Sequence, residues 1–160
     1  MLSQERLKKI LNYDPETGAF EWKTRTANCI HVGDVAGSND KYGYWQIQVD
    51  GKCCFAHRLA WLYVYGVWPE NHIDHIDGVK NNNRIVNLRD VTCLVNSQNQ
   101  RSAQCINTSG FLGVSAVGKV FRARIRIDGK LKCLGTHKTP ESAHEAYLVA
   151  KRELHLGCTI

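Results

Sequence analysis

The sequence predicts an α+β fold assembled from short elements, and three observations predict it. Apolar and polar residues alternate over 44–49 and again over 120–127, the period of half-buried strands. Residues 56–65 carry Leu59, Ala60, Trp61 and Val64 at helical spacing and stop at Gly66. Thr139-Pro140 opens a second helix whose Ala143, Ala146, Tyr147, Ala150 and Leu154 share one side, with Gly157 just beyond its end.

Length and composition bound this reading. The 160 residues suffice for one ordinary domain or two or three small ones, and 43 % hydrophobic content with four Trp excludes a disordered chain. The formal charge of +6 is unevenly spread: 12 basic residues face 11 acidic ones over 1–105, but 9 face 4 over 106–160. A basic C-terminal part favours a polyanionic partner. Seven cysteines include no C-x₂-C pair and no regular zinc spacing, so no structural zinc is expected. Their odd number, with no secretory segment, fits reduced thiols and a cytoplasmic location. No apolar run reaches the length of a membrane span.

In chain order, Ser3 caps a helix from Gln4 to about Leu11, residues 13–18 turn, and 19–23 form a strand with Phe20 and Trp22 on one face. Residues 24–42 read as loop. The 44–49 strand turns at Asp50-Gly51 into 52–55, and the helix 56–65 follows. A first strand carries Ile73 and Ile76, a second spans about 87–91, and Thr92 caps a helix from 93 to about 103 that presents Asn96, Asn99 and Gln100 on one face. Residues 104–109 read as a linker. Beyond it come Gly113-Val114, a strand 120–127, a turn at Asp128-Gly129, a strand 130–134 and the last helix: a small three-stranded antiparallel sheet packed on one helix.

The chemistry concentrates in His72-Ile73-Asp74-His75-Ile76-Asp77-Gly78, followed by Asn81-Asn82-Asn83-Arg84, Asn87-Leu88-Arg89 and the stretch from Thr92 to Arg101. An Asp-His pair on a strand and an Asn on a following helix can join a carboxylate, an amide oxygen and an imidazole. Carboxylate and carbonyl oxygens suit Mg²⁺ or Mn²⁺, and a neutral imidazole beside such an ion can deprotonate an attacking water. Asp77 reads as a turn residue in preference to a ligand, His72 as a flanking or substrate-contacting residue, and His57 as a packing residue.

The order and spacing from Ile73 to Asn99 resemble the HNH nuclease motif, in the His-Asn-Asn form of phage and intron-encoded HNH homing endonucleases. The likeness extends upstream through Ala56-His57-Arg58-Leu59-Ala60-Trp61 and from Gly66 to Pro69. It implies a ββα-metal core at 67–104 preceded by an N-terminal α/β extension at 1–66. By the same resemblance His75 is the general base, Asp74 and Asn96 are the metal ligands, and Asn87 orients the catalytic loop. Mg²⁺ or Mn²⁺ is the implied cofactor. Arg58 and Arg84 are candidate phosphate contacts.

The block 105–160 resembles the DNA-binding domain of plant ethylene-response factors, through Gly113-Val114, the strand bearing Arg122, Arg124 and Arg126, Leu134-Gly135-Thr136 and the run from Pro140 to Tyr147. Phe121 and Cys133 stand where that family's Trp-rich pattern is expected. The resemblance implies that Arg122, Arg124 and Arg126 enter the major groove, with Lys119, Lys130 and Lys132 on phosphates. The combined expectation is a site-selective endonuclease of the homing type on double-stranded DNA, nicking as a monomer or acting as a weak dimer. A restriction or defence nuclease, and a DNA-binding regulator with a non-catalytic nuclease module, are the alternatives.

Overall fold

The computed structural model describes residues 2–104 and 106–160; Cys105, one of the seven cysteines and the first residue of the expected C-terminal domain, lies outside the described residues. The fold is mixed α+β, with small antiparallel sheets. It divides into two compact units, Met1–Cys93 and Leu94–Ile160. No helix among the described residues is long and apolar enough to cross a membrane.

In the first unit, helix α1 (Gln4–Ile10) is capped by Ser3, whose Oγ accepts from the Arg6 N–H at 3.2 Å, and buries Leu7 and Ile10. Strands β1 (Leu11–Tyr13) and β2 (Phe20–Trp22) pair antiparallel, with Leu11 opposite Trp22 and Tyr13 opposite Phe20. Period-two alternation therefore sends all four side chains into the core. The stretch read as loop contains β3 (Ser38–Asn39), which pairs with β4 (Trp45–Val49); β4 pairs in turn with β5 (Lys52–Phe55). Asp50 and Gly51 both adopt left-handed φ, +48° and +76°, as a two-residue hairpin turn requires. Arg6 donates to both oxygens of Asp50, at 3.1 and 2.8 Å, tying that turn to α1.

Helix α2 (Ala56–Tyr65) ends at Gly66 in the left-handed region, φ +80°, with the Gly66 N–H on the Leu62 carbonyl at 3.0 Å. Strand β6 (His72–His75) then pairs antiparallel with β7 (Leu88–Val91), which starts one residue later than expected because Ile85–Asn87 form a 3₁₀ turn. Ile73 and Leu88 join the same buried cluster as Leu7, Phe20, Ile47 and Leu59. The segment 1–66, expected as an extension, thus shares one hydrophobic core with β6 and β7.

Helix α3 (Cys93–Gln98), whose residues from Leu94 on belong to the second unit, stops five residues earlier than the sequence suggests. Its last residue and those after it bond to the C-terminal part of the chain. Gln98 Oε1 accepts from the Gly157 N–H at 2.9 Å, and Asn99 Oδ1 accepts from the Thr159 hydroxyl. The Gln100 carbonyl accepts from Lys151 Nζ, and Arg101 Nη2 donates to Thr159 O and Oγ1 at 3.2 and 2.6 Å. Asn99 and Gln100 therefore lie past the helix end and do not extend the face of Asn96. In the stretch read as a linker, Asn107 Nδ2 donates to the carbonyls of Phe111 and Val114 at 2.9 and 3.2 Å.

Strands β8 (Val114–Val117), β9 (Val120–Ile127) and β10 (Lys130–His137) form a sheet in the order β10-β9-β8, with β10 bulged between Cys133 and Gly135. Helix α4 (Pro140–Leu154) is capped by Thr139, whose Oγ1 accepts from the Ser142 N–H at 3.3 Å. It packs Ala143, Tyr147 and Ala150 against Val114, Ala123 and Ile125. Leu154, expected on the packing side, is exposed, and Lys151 is buried instead. Burying an ammonium requires a partner, which the Gln100 carbonyl supplies.

Deleting residues 157–160 removes the tail partners of Gln98, Asn99 and Arg101 while sparing the β-sheet. Amides of α3 are expected to exchange with deuterium about ten-fold faster, equivalent to about 1.4 kcal/mol, with β9 unchanged. Hydrogen-exchange mass spectrometry reads this directly, and unaltered α3 protection would refute the bracing role of the tail.

Candidate functional site

Asp74 and His75 are neighbours on β6, so their side chains leave opposite faces of the strand. The β6–β7 register sets Asp74 directly opposite Arg89, whose Nε and Nη2 both donate to Asp74 Oδ2, at 2.9 and 2.7 Å. The carboxylate is largely buried, at 8 % side-chain exposure, and sits against a full positive charge. His75 points the other way, toward α2, where the His57 ring meets it edge-on with centroids 5.1 Å apart. Tyr44 lies 6.3 Å from His75, and Phe55 stacks on His57 at 5.3 Å.

This surrounding fixes protonation. Burial drives the His57 imidazole down to about 3, with His75 and Arg58 adding to the effect. His57 Nδ1 is buried with no hydrogen-bond partner among the described residues, a further cost to any charged form. Burial also lowers His75 below its ordinary value, against the opposing pull of Asn83, Asp77 and Asp74. At neutral pH His75 is accordingly a neutral imidazole able to accept a proton.

The loop between β6 and β7 closes around one side chain. Asn87 Oδ1 accepts from the Asp77 N–H at 3.0 Å, while Asn87 Nδ2 donates to Asp77 Oδ1 at 3.0 Å and to the Asn82 carbonyl at 2.9 Å. The backbone adds Ile76 N–H to the Asn87 carbonyl at 2.9 Å. Asp77, read as a turn residue, also accepts from the Val79 N–H at 2.8 Å and the Asn82 amide at 2.6 Å. Burial would raise its carboxyl, but those hydrogen bonds outweigh it and hold the group below the usual carboxylate range.

The N-terminal hairpin braces the same loop. Tyr13 Oη donates to the Asn83 carbonyl at 2.7 Å, and burial pushes its phenol up to about 12. Gly18, at φ +76°, sits so close that a Cβ there would lie 2.5 Å from the Arg84 nitrogen.

The first unit carries Asp74, His75 and Asn87, with Asp74 against Arg89 on one face of β6 and His75 against His57 on the other. Asn96 lies half-buried on α3 and belongs to the second unit. Arg58 is turned inward: its guanidinium lies over Trp68, 5.8 Å from the ring centre, and donates to the carbonyls of Pro69 and Asn71 at 3.4 Å. Arg84 reaches Glu16 at 3.6 Å and is 44 % exposed. Two further partners emerge only in the fold: Arg89 on Asp74, and Asn83, whose Oδ1 lies 3.3 Å from His75 Nε2. Their roles depend on the strand register and on the path of a long loop, neither of which residue spacing reveals.

In the second unit, Arg122, Arg124 and Arg126 alternate along β9 on the sheet face away from α4. Cross-strand pairing adds Ser115 on β8 and Leu131, Cys133 and Thr136 on β10 to that face, and none of these neighbours is acidic. Arg124 Nη2 donates to Ser115 Oγ at 2.9 Å. Lys119 is exposed in the β8–β9 turn. Lys130 and Lys132 are also exposed, but they pair with Ile127 and Ile125 and so leave the opposite face of the edge strand.

The donors nominated for a metal are chemically suited to one: a carboxylate and a carboxamide oxygen are hard ligands for Mg²⁺ or Mn²⁺, and Asp74 already neutralises a cation. Among the described residues no three His, Cys, Asp or Glu side chains cluster as a metal site of their own.

Comparison with known proteins adds one match. Residues 54–100 fit the model of the HNH endonuclease family, a span that runs from β5 through α2, β6, the Asn87-closed loop and β7 to just past α3. No curated protein and no solved structure matches the chain. The match supports an HNH nuclease domain in this segment and, with it, a nuclease acting on DNA.

The low value of His57 has a sign that can be measured. The unfolded chain binds a proton at this residue below about 6.5 and the folded chain does not until about 3, so stability falls as pH falls through that window. Between pH 6.5 and 5 the loss is about 2 kcal/mol from this residue. Urea unfolding across this range should show a steeper pH dependence for wild type than for His57→Phe; equal slopes would mean that His57 titrates normally.

Proposed function

We propose that the chain is a divalent-metal-dependent, site-selective DNA endonuclease of the homing type, with His75 as general base, that nicks duplex DNA as a monomer. The observation that carries this reading is the neutral His75 beside Asp74, next to a loop closed by Asn87, within the segment that fits the HNH family. In this reading residues 67–104 supply a ββα-metal core, residues 1–66 brace it, and residues 105–160 are an ethylene-response-factor-like reader of the duplex.

His75 takes a proton from water as the water oxygen bonds to phosphorus, and the bond from phosphorus to the 3′ oxygen breaks. Asp74 and Asn96 would hold the divalent ion, which would supply stabilisation of the negative charge developing on the scissile phosphate and the departing 3′ oxygen. Arg89 keeps the Asp74 carboxylate oriented, and Asn87 keeps the 76–83 loop from drifting away from β6. One such centre serves one strand, which is why nicking is the expected product.

The arginine face of β9 supports a role in duplex reading. Three guanidiniums in register on one strand, with hydroxyl and apolar neighbours and no acids, offer donors for guanine edges and contacts for thymine methyls. Lys119, in the adjacent turn, is a candidate for a phosphate flanking the groove, whereas Lys130 and Lys132 leave the opposite face of β10 and suit that duty less well. Arg84 is the remaining candidate for a phosphate near the loop, whereas the inward contacts of Arg58 suit a structural duty better.

Cleavage of supercoiled DNA with and without Mg²⁺ tests the reading. His75→Ala is expected to lower the single-turnover rate by about 10²–10⁴ with DNA affinity nearly unchanged. A rate within ten-fold of wild type would remove His75 as the base, and binding without metal-stimulated cleavage by wild type would favour a regulator. Changing Arg122, Arg124 and Arg126 together to Ala should leave the chemistry but flatten the salt dependence of binding, by about 0.9 in log-log slope for each phosphate that is no longer neutralised. Fluorescence anisotropy over a salt series measures this, and an unchanged slope with unchanged site preference would exclude the sheet as the reader.

A further inference from the structure

The loop closed by Asn87 carries a basic side chain that the Asp-His and Asn set does not use. Lys80 is exposed, yet the turn between β3 and β4 holds it in place. Its Nζ donates to the Tyr42 carbonyl at 3.0 Å and lies over the Tyr44 ring, 5.0 Å from the centroid. Its stem runs past Gly43, where an added Cβ would lie 4.0 Å from Lys80 Cδ. On the same turn Lys41 Nζ sits 4.9 Å from the centre of the Tyr42 ring, and Tyr42 is 64 % exposed.

The turn is built to keep that position. Asp40 Oδ1 accepts from the N–H groups of Tyr42 and Tyr44, both at 2.8 Å, the Asp40 N–H donates to the Tyr44 carbonyl at 2.8 Å, and Gly43 takes φ +87° as the chain reverses. The carboxylates of the two segments are thereby engaged: Asp40 by these amides and Gln46, Asp77 by Val79, Asn82 and Asn87. What Lys80 meets is a carbonyl and a ring face, both of which attract an ammonium without neutralising it. An ammonium has three donors, and the Tyr42 carbonyl takes one. A brace alone needs no charge, since a neutral amide can donate to the same carbonyl.

We infer that Lys80, with Lys41 on the turn beside it, seats backbone phosphates of the DNA strand that enters the centre at His75. Tyr44 fixes the relation between seat and centre. Its ring lies under Lys80 and 6.3 Å from the His75 ring, so the ammonium and the imidazole flank a single side chain and can address neighbouring phosphates of one strand. The inference rests on the nuclease reading for what passes His75; the seat itself follows from two fixed ammoniums whose described partners leave their charge in place. A contact of this kind sets the position of the strand and carries no sequence information, which is left to base edges met elsewhere.

Fluorescence anisotropy of a labelled duplex with the full-length, metal-free protein over a salt series tests the seat. Lys80→Gln keeps an N–H donor for the Tyr42 carbonyl and removes the charge. It is expected to weaken binding to unrelated duplex sequences alike and to reduce the log-log salt slope by about 0.9. Lys80→Arg keeps the charge and is expected to retain the wild-type slope. Lys41→Gln repeats the experiment from the turn without altering the β6–β7 loop, and its slope should fall by the same amount. Wild-type slopes in both glutamine variants would overturn the inference. So would a slope reduced equally in Lys80→Arg and Lys80→Gln, which would mark Lys80 as a brace. Because no metal is present, the result does not depend on cleavage: failure of wild type to cut DNA with Mg²⁺ would sink the nuclease reading and leave the phosphate contacts standing.

Discussion

The carboxamide of Asn87 is the constraint on which the candidate site depends. The segment from Ile76 to Arg84 has almost no apolar residues to hold it down, and a loop of that composition would otherwise sample many conformations. Asn87 donates twice and accepts once at three points of that segment, and Asp77 repeats the pattern from the other side. An amide is suited to this because it is donor and acceptor at once and carries no charge to desolvate. An aspartate in its place would set carboxylate against carboxylate at Asp77.

Around that clamp the fold supplies stiffness from a distance in sequence. The β1–β2 hairpin touches the loop through Tyr13 and Gly18, some seventy residues upstream of Asn83, and the hydrophobic core under it runs without a break from Leu7 to Leu88. Burial of this kind also sets the chemistry: the aromatic wall of Tyr44, Phe55 and His57 dehydrates His75 and keeps it uncharged. Packing and protonation are thus two aspects of one arrangement. The polar residues that look like a reaction centre in isolation acquire their properties from apolar residues that look like filler.

Much of this was legible in the sequence, and what was not has physical reasons. Helix α2 and its end at Gly66, the hairpin at Asp50-Gly51 and the limits of β9 follow from local signals: periodicity, a left-handed stop, a two-residue turn. The early end of α3 does not, because Asn99 to Arg101 are helix-compatible but bond to partners near the C-terminus. Lys151 was likewise unreadable as a core residue, since nothing local announces the carbonyl that receives it. Within the site, Asp74, His75 and Asn87 could be singled out by type and spacing. Arg89 could not, because its role appears only once the register opposes it to Asp74, and strand register likewise sends Lys130 and Lys132 away from the arginine face.

The bonds between the end of the chain and the residues just after α3 bear on how such proteins can be recombined. A junction drawn in the polar stretch at 104–109, where composition changes most visibly, would leave Gln98, Asn99 and Arg101 on one parent and Gly157 and Thr159 on the other. Gly157 itself lies against α3 so closely that a Cβ would fall 2.1 Å from the Val95 carbonyl oxygen. The C-terminal sheet and α3 are therefore inherited as one piece. Replacing the second unit while keeping the Asn87-closed loop would have to cross over before α3, and would exchange the candidate ligand Asn96 together with the arginine face of β9.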